Sequence, residues 1–258
     1  MARVQHDFGY RLRLEHPDRA ELRLLRVGRA VIFDPDGPPE LDDIVVLTGS
    51  GEDRTRALRA ALGAGRRHTV VAPPGLWSEL SAAGAGDGGA GEWSGDGLHL
   101  RSMAYDPPAE ARPSLLGAPA ALARGPRTLV RSLVPRPPPR EAAVWEVGFA
   151  DGTRLVHLDL ALHAGTDEAW VHRAVAAFGG PEWLLIGCPY GEGDALLRWL
   201  PRFCDEAKPT RVLLTDLVNT ARRERGLPTE LITPLRDRLL AAGLQTHVFA
   251  TQASFRFE

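Results

Sequence analysis

The sequence predicts an α/β fold in which two mixed β-sheets lie between outer helices. Three observations carry this. Hairpin-like strands come first and alternating strand–helix units follow, and that succession occurs twice along the chain. Several strands, such as Ile44 to Leu47 and Trp183 to Ile186, are short and continuously apolar, as strands covered on both faces are. Intervening stretches such as Asp167 to Phe178 are amphipathic at helical spacing and need one face buried.

In the first half, Glu21 to Val27 alternates leucine with polar residues and reads as a half-buried strand. Gly28-Arg29 makes a turn into the strand Ala30 to Phe33, which Asp34-Pro35-Asp36-Gly37 stops. After the strand Ile44 to Leu47 comes a tight loop, Gly49 to Asp53, and a helix from Thr55 to Leu62, ended by Gly63 or Gly65. Thr69 to Ala72 is a strand and Pro74 to Ala83 a short helix. Residues 84–97 are mostly Gly, Ala, Asp and Ser and read as a flexible loop with Trp93 exposed on it. Leu98 to Ala104 is strand-like, and the proline-rich residues 107–140 read as an irregular surface excursion. The expected organisation is one domain over 1–258 with a Gly/Pro-rich insertion at about 81–140.

The second half is more regular. Val144 to Phe149 and Arg154 to Leu158 form a hairpin around Asp151-Gly152. A helix (Asp167 to Phe178), a strand (Trp183 to Ile186), a helix (Asp194 to Cys204) and a strand (Arg211 to Leu214) follow. A helix from Leu231 to Ala242 and a strand from Gln245 to Ala250 complete the pattern. The basic run Arg222-Arg223-Glu224-Arg225 reads as a solvated helix end or turn.

Composition excludes several classes. Of 258 residues, 44% are hydrophobic and 25% charged, which suits a soluble globular chain. The net charge of -2 indicates no nucleic-acid partner. No stretch of about 18 apolar residues suggests a membrane span. Cys188 and Cys204 are too few for a disulfide framework, which fits a cytoplasmic location.

Five segments, in this order, carry a resemblance. They are Ala30 to Pro35 (AVIFDP), Asp43 to Thr48 (DIVVLT), Asp151 to Asp159 (DGTRLVHLD), Trp183 to Gly191 (WLLIGCPYG) and Lys208 to Asp216 (KPTRVLLTD). Together they resemble the metallo-β-lactamase fold over about residues 20–220. The resemblance implies a four-layer αββα sandwich. It also implies a loop reading His-x-His-x-Asp-His after the fourth strand, whose ligands hold cations that lower the pKa of bound water.

At those six loop positions this chain has Gly49, Ser50, Gly51, Glu52, Asp53 and Arg54. Both leading histidines are glycines, and Arg54 cannot ligate a cation. Where the next family histidine falls, the chain has Tyr105 and Asp106. The family's bridging aspartate is matched by Asp159, and the last histidine by Asp216. Two readings follow. In one, the metal is gone and Arg54 supplies the positive charge, pairing with Asp53, Asp159 or Asp216. In the other, Asp53, Asp106, Asp159 and Asp216 hold a hard cation through oxygen ligands.

Other constellations are weighed beside these. His157 and Asp159 are two apart on a strand and so share a face. With His163 following shortly after, they are either a relocated metal site or a polar strand end with an ordinary histidine pair. Gly49, Ser50 and Gly51, with Arg54, are either an anion cradle at a helix start or a plain tight turn. Ser50 lacks the Gly-x-Ser-x-Gly context of a nucleophile elbow. Cys188 is either a reactive thiol or a small buried hydrophobe. The resulting expectation is a non-hydrolytic protein with no cofactor, binding a small ligand or a protein partner through the old cleft. The alternative is a hydrolase of a phosphodiester, lactone or other ester. It would use Mg, Mn or Zn, with Asp53, Asp159 and His157 as catalytic candidates.

Overall fold

Short apolar strands leave polar main chain on both edges, and pairing side by side satisfies it. The computed structural model describes residues 13–15, 22–26, 29–35, 37–50, 52–108, 141–224, 228–249 and 254–256. In chain order the first half runs β1 (Arg13–Glu15), β2 (Leu22–Arg26), β3 (Arg29–Phe33), β4 (Ile44–Val46), α1 (Glu52–Gly63), β5 (Thr69–Ala72), α2 (Pro74–Ala82) and β6 (Gly88–Ala90). There follow β7 (Glu92–Gly95), β8 (Leu98–Tyr105), β9 (Ala142–Phe149), β10 (Arg154–His157), α3 (Glu168–Phe178), β11 (Trp183–Gly187) and α4 (Gly193–Ala207). The chain continues with β12 (Arg211–Thr215), α5 (Leu217–Glu224), α6 (Ile232–Ala241), β13 (Thr246–Phe249) and β14 (Ser254–Arg256).

One sheet has the order β14-β1-β2-β3-β4-β5-β6 and the other β13-β12-β11-β10-β9-β8-β7. Read in those orders, the first sheet passes from antiparallel pairs to parallel ones and the second from parallel to antiparallel. The change falls at β3 in the first sheet and at β10 in the second. Three apolar layers hold the stack together. Leu58, Leu62, Leu76 and Leu80 of α1 and α2 pack on Val45, Leu47 and Val70. Ile44, Val46, Trp145, Leu155, Trp183 and Leu213 fill the space between the sheets. Val156, Leu184, Ile186 and Leu214 meet Phe178, Leu200 and Leu239 of the outer helices. Successive residues of β4 and β11 thus serve opposite layers, as a period of two requires. Each fully buried Leu, Ile or Phe contributes about 1.5–3 kcal/mol. The architecture is the αββα sandwich with two mixed sheets that the sequence resemblance implies.

Three sequence expectations are corrected. Residues 84–97 do not form a flexible loop, because β6 and β7 lie within them. Their glycines serve close packing: a Cβ on Gly88 would stand 1.8 Å from the Val70 carbonyl oxygen, and one on Gly89 2.0 Å from that of Glu92. Trp93 is half-buried against the core between the sheets rather than exposed for binding. Arg222 and Arg223 do end a helix, α5, as one of the two readings had it, but Arg222 is packed rather than solvated. The Arg222 guanidinium covers the Tyr190 ring at 4.6 Å, and its Nε donates to the Pro228 carbonyl. The rest of the insertion, residues 109–140, lies outside the described residues.

A buried carboxylate fixes α3 to the second sheet. Glu146 on β9 is 3% exposed and would be costly alone. Arg101 of β8 donates to it at 2.8 and 3.1 Å, and Arg154 of β10 donates through Nε at 3.0 Å and through Nη2. The same guanidiniums donate to the Ala177 and Gly179 carbonyls at the C-terminal end of α3. There the helix leaves carbonyls unpaired and favours positive charge. Burial pushes the Glu146 carboxyl up. The hydrogen bonds from Arg101 and Arg154, with their charge, outweigh it and hold the group below its ordinary 4.5. With its folded value depressed, Glu146 contributes stability above pH 4.5 and loses it as pH falls through that lower value. We predict that Glu146→Gln costs about 3 kcal/mol in urea unfolding at neutral pH. The gap from the wild-type chain should close below pH 4.5; a gap that widened in acid would contradict this account.

Candidate functional site

The positions that the family resemblance singles out gather at one end of the sandwich. β10, β11 and β12 run parallel, with His157 opposite Leu185 and Gly187 opposite Thr215. Asp159 and Asp216, just past β10 and β12, therefore emerge at the same end. Tyr105 closes β8 opposite Ala142, the first residue of β9. The loop after β4 reaches that residue too, through an antiparallel bridge between Gly49 and Ala142.

That loop is stitched to the second sheet along its length. Trp145 Nε1 donates to the Leu47 carbonyl at 3.1 Å, and Ala143 N–H donates to that of Thr48 at 2.8 Å. Ser50 N–H donates to the Glu141 carbonyl at 3.0 Å, and Ser50 Oγ accepts the Glu141 N–H at 3.1 Å. The Glu141 carboxylate takes the N–H groups of Gly75 and Leu76 at 3.1 Å each, at the start of α2. Asp34, from the Asp-Pro end of β3, holds the loop's other side. Its φ is +47°, and its carboxylate accepts from Thr48 N–H at 2.8 Å and Thr48 Oγ1 at 2.5 Å. Ser50 thus spends its N–H and Oγ on main chain. Asp53 and Arg54 begin α1, but their side chains, and Gly51, lie outside the described residues.

Each described aspartate of the old site has a definite setting. Asp159 is 7% exposed, with φ +49°. Its carbonyl takes the Gly187 N–H at 2.8 Å, and its Oδ2 accepts the Tyr105 hydroxyl at 2.6 Å. Asp216 caps α5. Its Oδ1 accepts from Asn219 Nδ2 at 2.8 Å and its Oδ2 from Arg223 Nη2 at 2.6 Å. Asp106 is exposed, and its carbonyl accepts from His163 Nε2 at 2.7 Å. The His163 Nδ1 in turn accepts the Gly165 N–H at 3.1 Å, so both ring nitrogens are used.

His157 and Asp159 do not share a face. His157 packs on Phe33 between the sheets, with ring centroids 5.0 Å apart. Asp159 lies past the strand in the left-handed region and turns to Tyr105, whose ring belongs to the helix-side core. Cys188 is 1% exposed, and burial, then the charges of Glu230 and Glu192, push its thiol far up. It is no activated nucleophile.

Among the described residues the site's donors do not form a set that fits a catalytic cation. Zinc or a hard cation needs three or more converging donors with open lone pairs. Among the described residues no group of three His, Cys, Asp or Glu could hold one. Asp159 is turned to a tyrosine hydroxyl and Asp216 to a guanidinium and an amide. Reading the sequence missed Tyr105, Asn219 and Arg223 as the donors. Tyr105 stood at a family histidine position, and the Asp216-x-x-Asn219 spacing of a capped helix was the available signal for the others.

No family model matches the chain, and no curated protein sequence matches it. Solved structures do. The chain is similar to Igni18, a metallo hydrolase from the hyperthermophilic archaeon Ignicoccus hospitalis, with a TM-score of 0.57 at 14% identity over 96% of this chain and 99% of that one. A possible metal-dependent hydrolase from Veillonella parvula gives 0.56 at 11% identity, covering 96% and 99%. CmlA β-hydroxylase gives 0.61 at 12% identity over 98% of this chain and 55% of that one. At such identities the likeness speaks for the fold alone. The chain has the metallo-β-lactamase αββα fold.

The Tyr105 hydroxyl satisfies a buried carboxylate, so removing it should be felt. We predict that Tyr105→Phe costs about 1–3 kcal/mol in urea unfolding, while Asp159→Asn, which keeps an acceptor, costs less. Equal stability of Tyr105→Phe and the wild-type chain would show that water reaches Asp159 and that the end of the sandwich is open.

Proposed function

We propose that this protein is a non-hydrolytic member of the metallo-β-lactamase fold. It uses the end of the sandwich where its relatives hold metal to bind a small ligand or a protein partner. The observation that carries the reading is the pairing of Asp159 with Tyr105 and of Asp216 with Arg223 and Asn219. Groups that would hold a cation are engaged by the chain's own donors. The leading histidine positions, Gly49 and Gly51, offer no side chain at all.

The same end presents contact surface. Tyr190, in the loop after β11, is 40% exposed with Arg222 over its ring, and Leu231 is 69% exposed. The Gly191 N–H donates to Glu230 Oε2 at 2.8 Å, which brings the loops carrying Tyr190 and Leu231 together. An exposed aromatic beside an arginine is a composition that binding surfaces favour. Among the described residues no helix is long and apolar enough to cross a membrane.

The test is elemental analysis of protein purified without chelator. Metal well below one equivalent per chain is expected, with no hydrolysis of phosphodiester, lactone or ester substrates on adding Mg, Mn or Zn. Near one or two equivalents, lost in Asp159→Ala and Asp216→Ala, would overturn the proposal and favour an aspartate-ligated hydrolase.

A further inference from the structure

His68, at the threshold of β5, is 1% exposed. Its Nδ1 stands 3.2 Å from the Glu40 carbonyl oxygen, which can only accept, so Nδ1 carries the proton and donates. Its Nε2 is buried and has no hydrogen-bond partner among the described residues. The Glu40 carbonyl also accepts the Asp43 N–H at 3.1 Å, and Asp43 Oδ2 accepts the Glu40 N–H at 3.0 Å. One imidazole N–H thus pins a closed turn, Glu40 to Asp43, that runs directly into β4. Leu41 in the turn is 63% exposed.

A second proton on this ring would have to sit on Nε2, which is buried and meets no acceptor among the described residues. Arg66 repels such a charge and Asp43, itself 3% exposed, attracts it. The other ionisable neighbours lie at the surface. They are Glu40 and Asp42 in the turn, Arg67 beside His68, and Asp87 next to Gly86, whose N–H bonds the His68 carbonyl at 3.0 Å. Burial is the largest influence and pushes His68 below its ordinary 6.5, against the pull of the Glu40 carbonyl.

We infer that His68 is an acid-sensitive pin, whose protonation carries the ring out to water, breaks its bond to Glu40 and frees the turn Glu40 to Asp43 while both sheets stay folded. The direction follows from linkage. A histidine whose folded value is lowered contributes stability in full above 6.5. That contribution is lost as pH falls from 6.5 towards the lower folded value. The inference does not depend on what binds at the far end of β4.

Hydrogen exchange of the full chain tests it, followed by mass spectrometry from about pH 8 to about pH 5 and corrected for the intrinsic rate at each pH. The peptide holding Glu40 to Asp43 should lose up to about tenfold protection per pH unit on the acid side, while β4, β5 and β11 hold theirs. In His68→Gln, which can still donate to Glu40 but does not titrate, the turn's protection should not change with pH. Should that variant fail to fold, imidazole NMR of the wild-type chain decides. The ring and the Glu40 to Asp43 amides should titrate together, with one midpoint below 6.5. A turn indifferent to pH in the wild-type chain, an equal acid response in His68→Gln, or a ring that titrates while the turn stays unchanged would each overturn the inference.

Discussion

Carboxylates brought together at one end of a protein must be compensated, because a buried negative charge left alone is very costly. Metal ions meet that need in enzymes of this fold. In this chain its own donors reach the carboxylates, a tyrosine hydroxyl on Asp159 and a guanidinium and an amide on Asp216, and we propose that these take the metal's place. The Tyr105 hydroxyl competes with any cation for Asp159 Oδ2, and a cation beside Arg223 would meet like charge.

The packing around this end supports the same arrangement. Asp34 and the start of β9 grip the loop after β4 from opposite sides, through Thr48 and through Ser50. Closing the loop against β9 uses polar groups that an anion at a glycine-rich turn would need. The first sheet spends the Asp34 carboxylate on Thr48 in the loop after the neighbouring strand. In the second sheet the carbonyl of Asp159 performs the comparable service for Gly187, which leaves its carboxylate for Tyr105. One backbone geometry, with φ near +48° in both, therefore gives a structural aspartate in one half and a compensated site aspartate in the other.

Much of this was legible in the sequence. Period-two and helical spacing located the long strands and helices, since burial on fixed faces leaves that imprint. The strand Thr69 to Ala72 agrees residue for residue. The strands β6 and β7 were illegible because their glycines, read as a sign of looseness, are there for close contact with Val70 and Glu92. The losses at Gly49, Gly51 and Arg54 are plain from residue type alone. The donors on Asp159 and Asp216 were not plain, because Tyr105 and Arg223 reach them across 54 and 7 positions of sequence, and only the fold sets that approach. Arg54 looked the natural substitute because of where it stands in the loop. Its side chain lies outside the described residues; among those described, the donors on Asp159 and Asp216 come from β8 and α5.

The central claim is that Tyr105 holds Asp159 in the role a metal would give it. The direct measurement is zinc titration calorimetry on a chain with Gly49→His, Gly51→His and Arg54→His, compared with the same chain carrying Tyr105→Phe as well. If the hydroxyl competes with the metal for Asp159, removing it should tighten zinc binding by about tenfold, the worth of one hydrogen bond to a charged group. Equal or weaker binding without the hydroxyl would contradict the account.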